Sequence, residues 1–469
     1  MNFESSTISR TVPAGDDLEA NRTPHWPGQT KNDGNDDGPN VEVAASVKHM
    51  KGIPSRWYRK VLDAGVEENG ILPVPIEERT QTQHSNLFTV FFTCLLCVLP
   101  LPTGALGTTV YGLKLRDVSL IILFFNFVTC IPPAIMGIGG YQTGMRQMIQ
   151  ARYSFGFVAA LLGYRAIHAW QRWQWLPNLI AIAIAAGCGG KQLMQQVEHE
   201  PATVKGVIGY GSLMAGYFMT FGGTVSDFTI YHDPKEPKRK VFTYVYLGLS
   251  TPATPLLILG AAIGGAIPNN ESWQTAWDVY GVGGVLAEML APAGGFGKFV
   301  LVVLALSVVG NTLNSMYSVA LCLQMLLPVF TKVPRFFFII VTMAIMIPMA
   351  IYAAAEWTTS LENFLSIIGY WAGCFDAIMI EELVVFRKRD YSSYDPEIWN
   401  KGRYLPTGLA AMGASLVSLG LVIPSMDTPW FTGPIGERIG DLGFEAAFVV
   451  TGLAYYPLRS LEIKWTGRI

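Results

Sequence analysis

An all-α, polytopic membrane protein is the fold class this sequence predicts, on three observations. The 469 residues are 51% hydrophobic and 14% charged, where a soluble chain carries about 25% charged residues. Apolar windows long enough to cross a bilayer recur from Leu87 onward, and between Leu87 and Gly140 the charged side chains are Lys114, Arg116 and Asp117 alone. Lysines and arginines gather in alternate connections between the windows, the usual mark of cytoplasmic loops. These features exclude an ordinary cytosolic enzyme and a nucleic-acid binder, which needs a basic face. No catalytic triad, phosphate-binding glycine loop or His-Glu-x-x-His string is present, so the chain reads as a non-enzyme without a metal or organic cofactor. All six cysteines lie in apolar stretches. The Cys94-x-x-Cys97 pair has no second pair or histidine cluster beside it, and thiols in such helices behave as small hydrophobes.

The elements follow in order. Residues 1–50 hold a Pro/Gly/Asn/Asp-rich tract over 32–39 and no apolar signal-peptide core; such a composition predicts a disordered cytoplasmic tail. Residues 51–86 mix aromatic, basic and acidic side chains and form a cytoplasmic juxtamembrane segment. A helix crossing about 30 Å of hydrocarbon needs about 20 mostly apolar residues. Ten windows qualify within a transmembrane domain over 87–458: Leu87–Leu113, Val118–Gly139, Trp173–Gly190, Gly206–Ser226, Val241–Ile267, Gly297–Val329, Phe336–Ala355, Leu361–Val384, Pro406–Pro424 and Gly440–Leu458. Residues 459–469 form a second cytoplasmic tail. Basic clusters at Arg146–Arg172, Lys235–Lys240, Lys332–Arg335 and Arg387–Arg403 occupy alternate connections, and Glu271, Asp278, Glu356, Asp427 and Glu437 occupy the others. With ten spans both termini are cytoplasmic.

Two windows are interrupted. Pro100, Pro102, Gly104 and Gly107 fall inside the first, and the fourth ends in Phe221-Gly222-Gly223-Thr-Val-Ser-Asp227. Proline removes a backbone donor and paired glycines favour unwinding. A pair of interrupted helices points to a transporter's binding site. Intramembrane polar groups are costly and therefore mark sites. Asn311, Asn314 and Ser318 share a helix face at i, i+3, i+7, and an amide can read the edge of a small heterocycle. Asp227 suits either a cation or proton site, or a helix cap. Asp376, Glu381 and Glu382 span one and a half terminal turns, and Glu382, beside Arg387, fits an interfacial gate or ion pair better than a central proton relay. The tryptophans 170, 173 and 175 suit an interfacial belt, and His84 and His168 have no ligand spacing.

Several strings resemble the nucleobase cation symporter-1 family, specifically fungal purine-cytosine permeases: Tyr111-Gly-Leu-Lys-Leu-Arg-Asp117, Gly144-Met-Arg-Gln-Met148, Arg152-Tyr-Ser-Phe-Gly156, Trp175-Leu-Pro-Asn178, Ser226-Asp-Phe-Thr-Ile-Tyr231, Leu304-Ala-Leu-Ser307 and Ser366-Ile-Ile-Gly-Tyr370. The resemblance covers about residues 50–469. It implies a LeuT-type inverted-repeat transporter of twelve helices and symport of purines and cytosine with H⁺ or Na⁺. Matched residue by residue, it assigns substrate binding to Asn311, with Thr312 and Asn314 nearby, to Phe221 as the aromatic stacked on the base, and to the polar stretch beginning at Thr93. It matches Glu382 to a glutamate near the end of the tenth family helix.

One departure is large. After Gly156 the family has two full helices, its third and fourth, where this chain has Phe157–Leu162; six helical residues rise about 9 Å and cannot span. Ten spans instead of twelve follow, with downstream orientation unchanged because an even number is missing. The expected function is a plasma-membrane, multi-pass permease for purine nucleobases and cytosine, working by alternating access on a small-molecule substrate. The alternatives are a transport-inactive truncated or splice form partnering a full-length homologue in a homo- or hetero-oligomer, and transport of a related family substrate such as uracil, allantoin, hydantoin, thiamine or pyridoxine.

Overall fold

In the computed structural model the described residues are 71–159, 168–198, 200–326, 330 and 335–468, with side chains described over the same stretches except 157–159, 168–173, 313–314, 317–318, 320–322, 324–326, 335–336 and 355. The expected tail and the start of the juxtamembrane segment lie outside them. Each of the ten windows contains helix within its described part. The first is a broken span, α1 (Ser85–Leu95) and α2 (Pro100–Thr109), bent by 51°. Next come α3 (Leu115–Thr129) and α4 (Ile131–Thr143), which together are long and apolar enough to cross a membrane as one span, Leu115–Thr143. They are followed by α5 (Gln147–Ala159) and α6 (His168–Cys188). The fourth window is α7 (Val204–Met219), a 3₁₀ turn over Thr220–Gly223 and the short α8 (Ser226–Thr229).

The long α9 (Lys238–Ala266) leads to α10 (Glu271–Leu290), a helix in what the charge pattern marks as an external connection, kinked at Gly281. Then follow α11 (Gly294–Leu326), α12 (Arg335–Ala355) and α13 (Trp357–Glu381), the last continuing into a π-turn at Glu382–Phe386. A final pair, α14 (Leu409–Ser425) and α15 (Gly443–Thr466), packs together and brackets a two-residue hairpin, β1 (Asp427–Thr428) with β2 (Phe431–Thr432). Among the described residues five helices are long and apolar enough to cross a membrane, or six with the bent first pair. The apolar stretches Gln174–Cys188 and Leu409–Ser425 are shorter.

Pro100 opens α2 and Pro102 lies in its first turn, so neither breaks the helix there: a first-turn proline lacks a donor that would be unsatisfied anyway. Gly104 also differs from the expectation of a break. It is helical, and a Cβ there would lie 1.9 Å from the Leu257 carbonyl oxygen of α9. The unwinding falls at Leu96–Leu99 instead. Gly222 and Gly223 do occupy the interrupted segment.

The basic connections meet at one end of the molecule. Arg79 donates to the carbonyls of Val74, Tyr141 and Thr143 at 2.7–3.3 Å, capping the C-terminus of α4. Gly144 takes φ +67° beside that guanidinium, a conformation only glycine adopts freely,. Lys238 lies over the Tyr391 ring and Arg387 over those of Tyr153 and Tyr394. Acidic groups gather elsewhere, with Lys205 pairing to Asp427 at 3.0 Å and Tyr370 donating to Asp441 at 2.6 Å. Large apolar side chains such as Phe299, Leu306, Ile347 and Leu416 are exposed, as helices facing lipid require.

Candidate functional site

Breaking the first span leaves backbone groups that lipid cannot satisfy, and side chains from two other helices take them up. The Asn178 amide of α6 donates to the Leu96 carbonyl at 3.1 Å. The Val98 N–H donates to Ser307 Oγ of α11 at 3.0 Å, and that hydroxyl donates in turn to the Leu304 carbonyl. Gln174 of α6 reaches the carbonyls of Leu306 and Ser307, each at 3.1 Å. Its Oε1 occupies the space a side chain would need at Gly310, 2.1 Å from an added Cβ. The Cys97 thiol faces the Asn311 side chain. The break, α6 and α11 therefore form one polar seam, with Asn311 and Thr312 half-buried along it. Thr93 is buried one turn before the break. The side chains of Asn314 and Ser318 lie outside the described residues.

The second break is held differently. The Phe221 carbonyl accepts from the N–H groups of Thr224 (3.1 Å) and Val225 (2.9 Å). Ser226 and Thr229 hydroxyls donate to the carbonyls of Met136 and Gly137 on α4. Gly223 faces Trp371 of α13, whose ring stacks on Phe375 at 5.0 Å, and Phe375 stacks on Phe155 at 5.5 Å. Phe221 is half-buried in this group. Its break packs chiefly on α4 and α13, and among the described residues no hydrogen bond or ring contact joins it to Asn311. The arrangement offers an aromatic face from one interrupted helix and amide edges from beside the other.

Asp227 is buried, and its Oδ1 accepts the Gln147 N–H at 3.0 Å, at the N-terminus of α5; a carboxylate is favourable there. Glu382 is fully buried and fully engaged. Arg387 Nε lies 3.1 Å from Oε1, Arg459 contacts both oxygens at 3.0 Å, and the Tyr455 hydroxyl donates to Oε2 at 2.9 Å. A carboxylate between two buried guanidiniums is a structural tie. Among the described residues no group of three metal-ligating side chains exists.

Sequence reasoning passed over Gln174 and Asn178 as site residues, although two amides four apart in an apolar helix are the kind of signal that marks Asn311. Arg459 lies one residue beyond the last apolar window, which hid it. His84 was read as isolated. It lies 3.1 Å from Glu236 and edge-on to the buried ring of His232.

The comparisons with known proteins agree with this architecture. A profile described as "Permease for cytosine/purines, uracil, thiamine, allantoin" matches residues 73–176 and 175–419. The purine-cytosine permease fcyB of Emericella nidulans is 31% identical over 470 aligned residues, covering 88% of this chain and 92% of that protein. The purine-cytosine permease FCY22 of Saccharomyces cerevisiae is 29% identical, covering 91% and 92%. Mhp1, a nucleobase-cation-symport-1 family transporter solved in a closed conformation with bromovinylhydantoin bound, superposes with a TM-score of 0.59 at 13% identity, over 84% of this chain and 95% of Mhp1. The fold is thus shared with a transporter of that family.

Proposed function

The chain belongs to the family of permeases for cytosine/purines, uracil, thiamine and allantoin, and from that premise we propose that it is a multi-pass permease for purine nucleobases and cytosine. The carrying observation is the seam at the first helix break. Lipid-facing backbone cannot remain unbonded, and here Ser307, Asn178 and Gln174 bond the break and its facing helix. The interruption is thereby a permanent feature that places Asn311 beside it. A heterocycle between the breaks would meet amide donors and acceptors at its edge and Phe221 at its face. The purine-cytosine permeases among its relatives support that substrate class. The plasma membrane, with both termini cytoplasmic, is the location that fits the clustered basic loops.

Radiolabelled cytosine, adenine and hypoxanthine uptake in cells lacking nucleobase transport tests this reading. It requires a form that carries two family helices after Gly156 to show saturable uptake; none at normal surface abundance overturns it. Asn311→Ala should weaken uptake roughly 5- to 150-fold, the equivalent of about 1–3 kcal/mol for an unpaired polar partner. Phe221→Ala should cost comparably through lost base stacking, about 1–3 kcal/mol. Unchanged uptake in both variants removes this site.

A second reading has its own support: the 469-residue form does not transport unaided. The profile match comes in two pieces that meet at 175–176. The alignment with fcyB spans 470 positions but holds only 88% of this chain, so it runs across gaps here. The missing stretch after Gly156 is where the resemblance puts two scaffold helices.

A further inference from the structure

Asp376 differs from every other carboxylate discussed above. Its side chain has no exposed surface, and neither carboxyl oxygen has a hydrogen-bond partner. It also faces the second helix break. The helices α7 and α13 cross where Gly216 meets Gly369, backbone against backbone, and two turns further along the carboxyl fills the space beside Gly222. A Cβ at Gly222 would lie 2.2 Å from Oδ1 and 2.6 Å from Oδ2. The glycine is required so that the carboxyl can rest on the interrupted backbone directly after Phe221.

Among the described residues no opposite charge compensates it. On the elements packed against α13, Arg459 and Tyr455 are committed to Glu382, and Glu445 faces Ser212. Arg152 and Tyr153 of α5 reach Trp399 and Asp395, and Tyr141 of α4 reaches Glu236. Asp427 of β1 pairs with Lys205, and Tyr217 of α7 faces Cys97 and Cys94. On α13 itself, Tyr370 bonds Asp441, Glu362 bonds Tyr111 and Glu381 lies against Gly452 of α15. The 3₁₀ turn, α2 and α14 carry no titratable side chain. An isolated carboxylate in such a place is too costly to persist, whereas a neutral carboxylic acid is tolerated.

We propose that Asp376 binds and releases the proton that accompanies substrate, with Gly222 as the backbone contact through which the second helix break senses it. The inference rests on the permease reading and names its coupling ion and the group that holds it. With the carboxyl protonated, the break packs on α13 as seen here. On release, the O–H proton passes to water on the side to which the site is open, no other bond changes, and the bare carboxylate must leave Gly222 for water or freed backbone N–H groups. That separation moves the segment bearing Phe221, so proton and nucleobase bind cooperatively.

Two measurements on the full chain in lipid nanodiscs test this, with Asp376→Asn as the variant and Asp376→Ala where the first accumulates poorly. Labelled cytosine binding is followed against pH. The wild type should lose affinity about tenfold per pH unit above the titration of one linked proton, and Asp376→Asn should stay flat. The same pH slope in the variant overturns the proposal. Infrared difference spectra between acidic and alkaline buffer should show a carboxylic C=O component at the high-frequency edge, expected of an unbonded acid, that is lost in Asp376→Asn. Cytosine binding to neither protein at any pH, also when each carries two family helices after Gly156, refutes the permease reading. The infrared component then decides on Asp376 alone: loss in the variant upholds it as the protonatable group, and persistence overturns it.

Discussion

Replacing Glu382 by glutamine would leave Arg387 buried without its counter-charge and Arg459 with Glu462 alone. Removing one partner from a buried ion pair costs about 3–5 kcal/mol, so Glu382→Gln should lower the melting temperature and surface abundance sharply. A variant that folds normally but loses pH-dependent binding would reassign the proton from Asp376 to Glu382. At the opposite extreme of charge, His232 is buried against His84 and has its imidazole pushed down from 6.5 to about 4, by burial first and by the neighbouring ring second. Its neutral form is retained fully above 6.5, and the contact weakens as the pH falls from there toward about 4. Protection against hydrogen exchange in the Gln81–His232 bridge, corrected for the intrinsic pH dependence of amide exchange, should therefore fall between about pH 6.5 and about pH 4, and a His232→Asn variant should show no such step. Asn311 was legible in the sequence because an amide in an apolar window announces itself. The meaning of Asp376, Gln174 and Glu382 was not, because each depends on a partner far along the chain: Gly222, Ser307 and Arg459.

Helices α2 and α9 owe their contact to small residues on both surfaces. Added Cβ atoms would lie 1.9 Å from the Leu257 oxygen at Gly104, 2.0 Å from the Leu101 oxygen at Gly260 and 2.4 Å from Thr108 Oγ1 at Gly264. The Gly260-x-x-x-Gly264 spacing puts both glycines on one face, and Thr108 Oγ1 donates to the Ala261 carbonyl at 3.2 Å across the crossing. Close backbone approach of this kind is a main source of helix association in lipid. Gly260→Leu should separate the pair at a cost of about 1–3 kcal/mol or more, visible as a lower melting temperature, while Gly283→Leu, where an added Cβ meets nothing within 4 Å, should leave it unchanged. At this scale each hydropathy window contains helix, and among the described residues five of the helices, or six with the bent first pair, are long and apolar enough to cross a membrane. Hydropathy misplaced the first break by assigning it to Pro102 and Gly104, because composition cannot separate a glycine that unwinds a helix from one that lets a neighbour approach. It also passed over α10, whose Trp273, Val285 and Leu286 are buried while Glu271 and Asp278 made the segment read as a loop.

The alternation of charged loops is a property of the entire chain, whereas Lys238 over Tyr391 and Arg387 over Tyr153 and Tyr394 are local contacts between three of the basic connections. What the alternation could not reveal is how thinly some of the helices are covered. In α12 only 11% of the apolar window is buried, against 61% in α9 and α13, and Phe337, Ile340, Ile347 and Ile351 are exposed along it. In the window that includes the first half of α11, 28% is buried, with Phe299, Val302 and Leu306 outward. Yet α11 carries Ser307 and Asn311, so one wall of the proposed site rests on weakly covered helices. Alternating access needs one bundle to move against a fixed support, and a support with so little protein around it must shift with the moving part. The 469-residue form expressed alone should accordingly give no saturable nucleobase uptake, and insertion of two family helices after Gly156 should restore it at matched surface abundance. Coexpression of a full-length homologue separates a filled gap from an intrinsic defect, since uptake restored in trans would carry the signature of Asn311→Ala in the short partner. Saturable uptake by the short form alone would mean that α6, α11 and the first helix break already enclose the substrate, with Gln174 and Asn178 standing in for the absent wall.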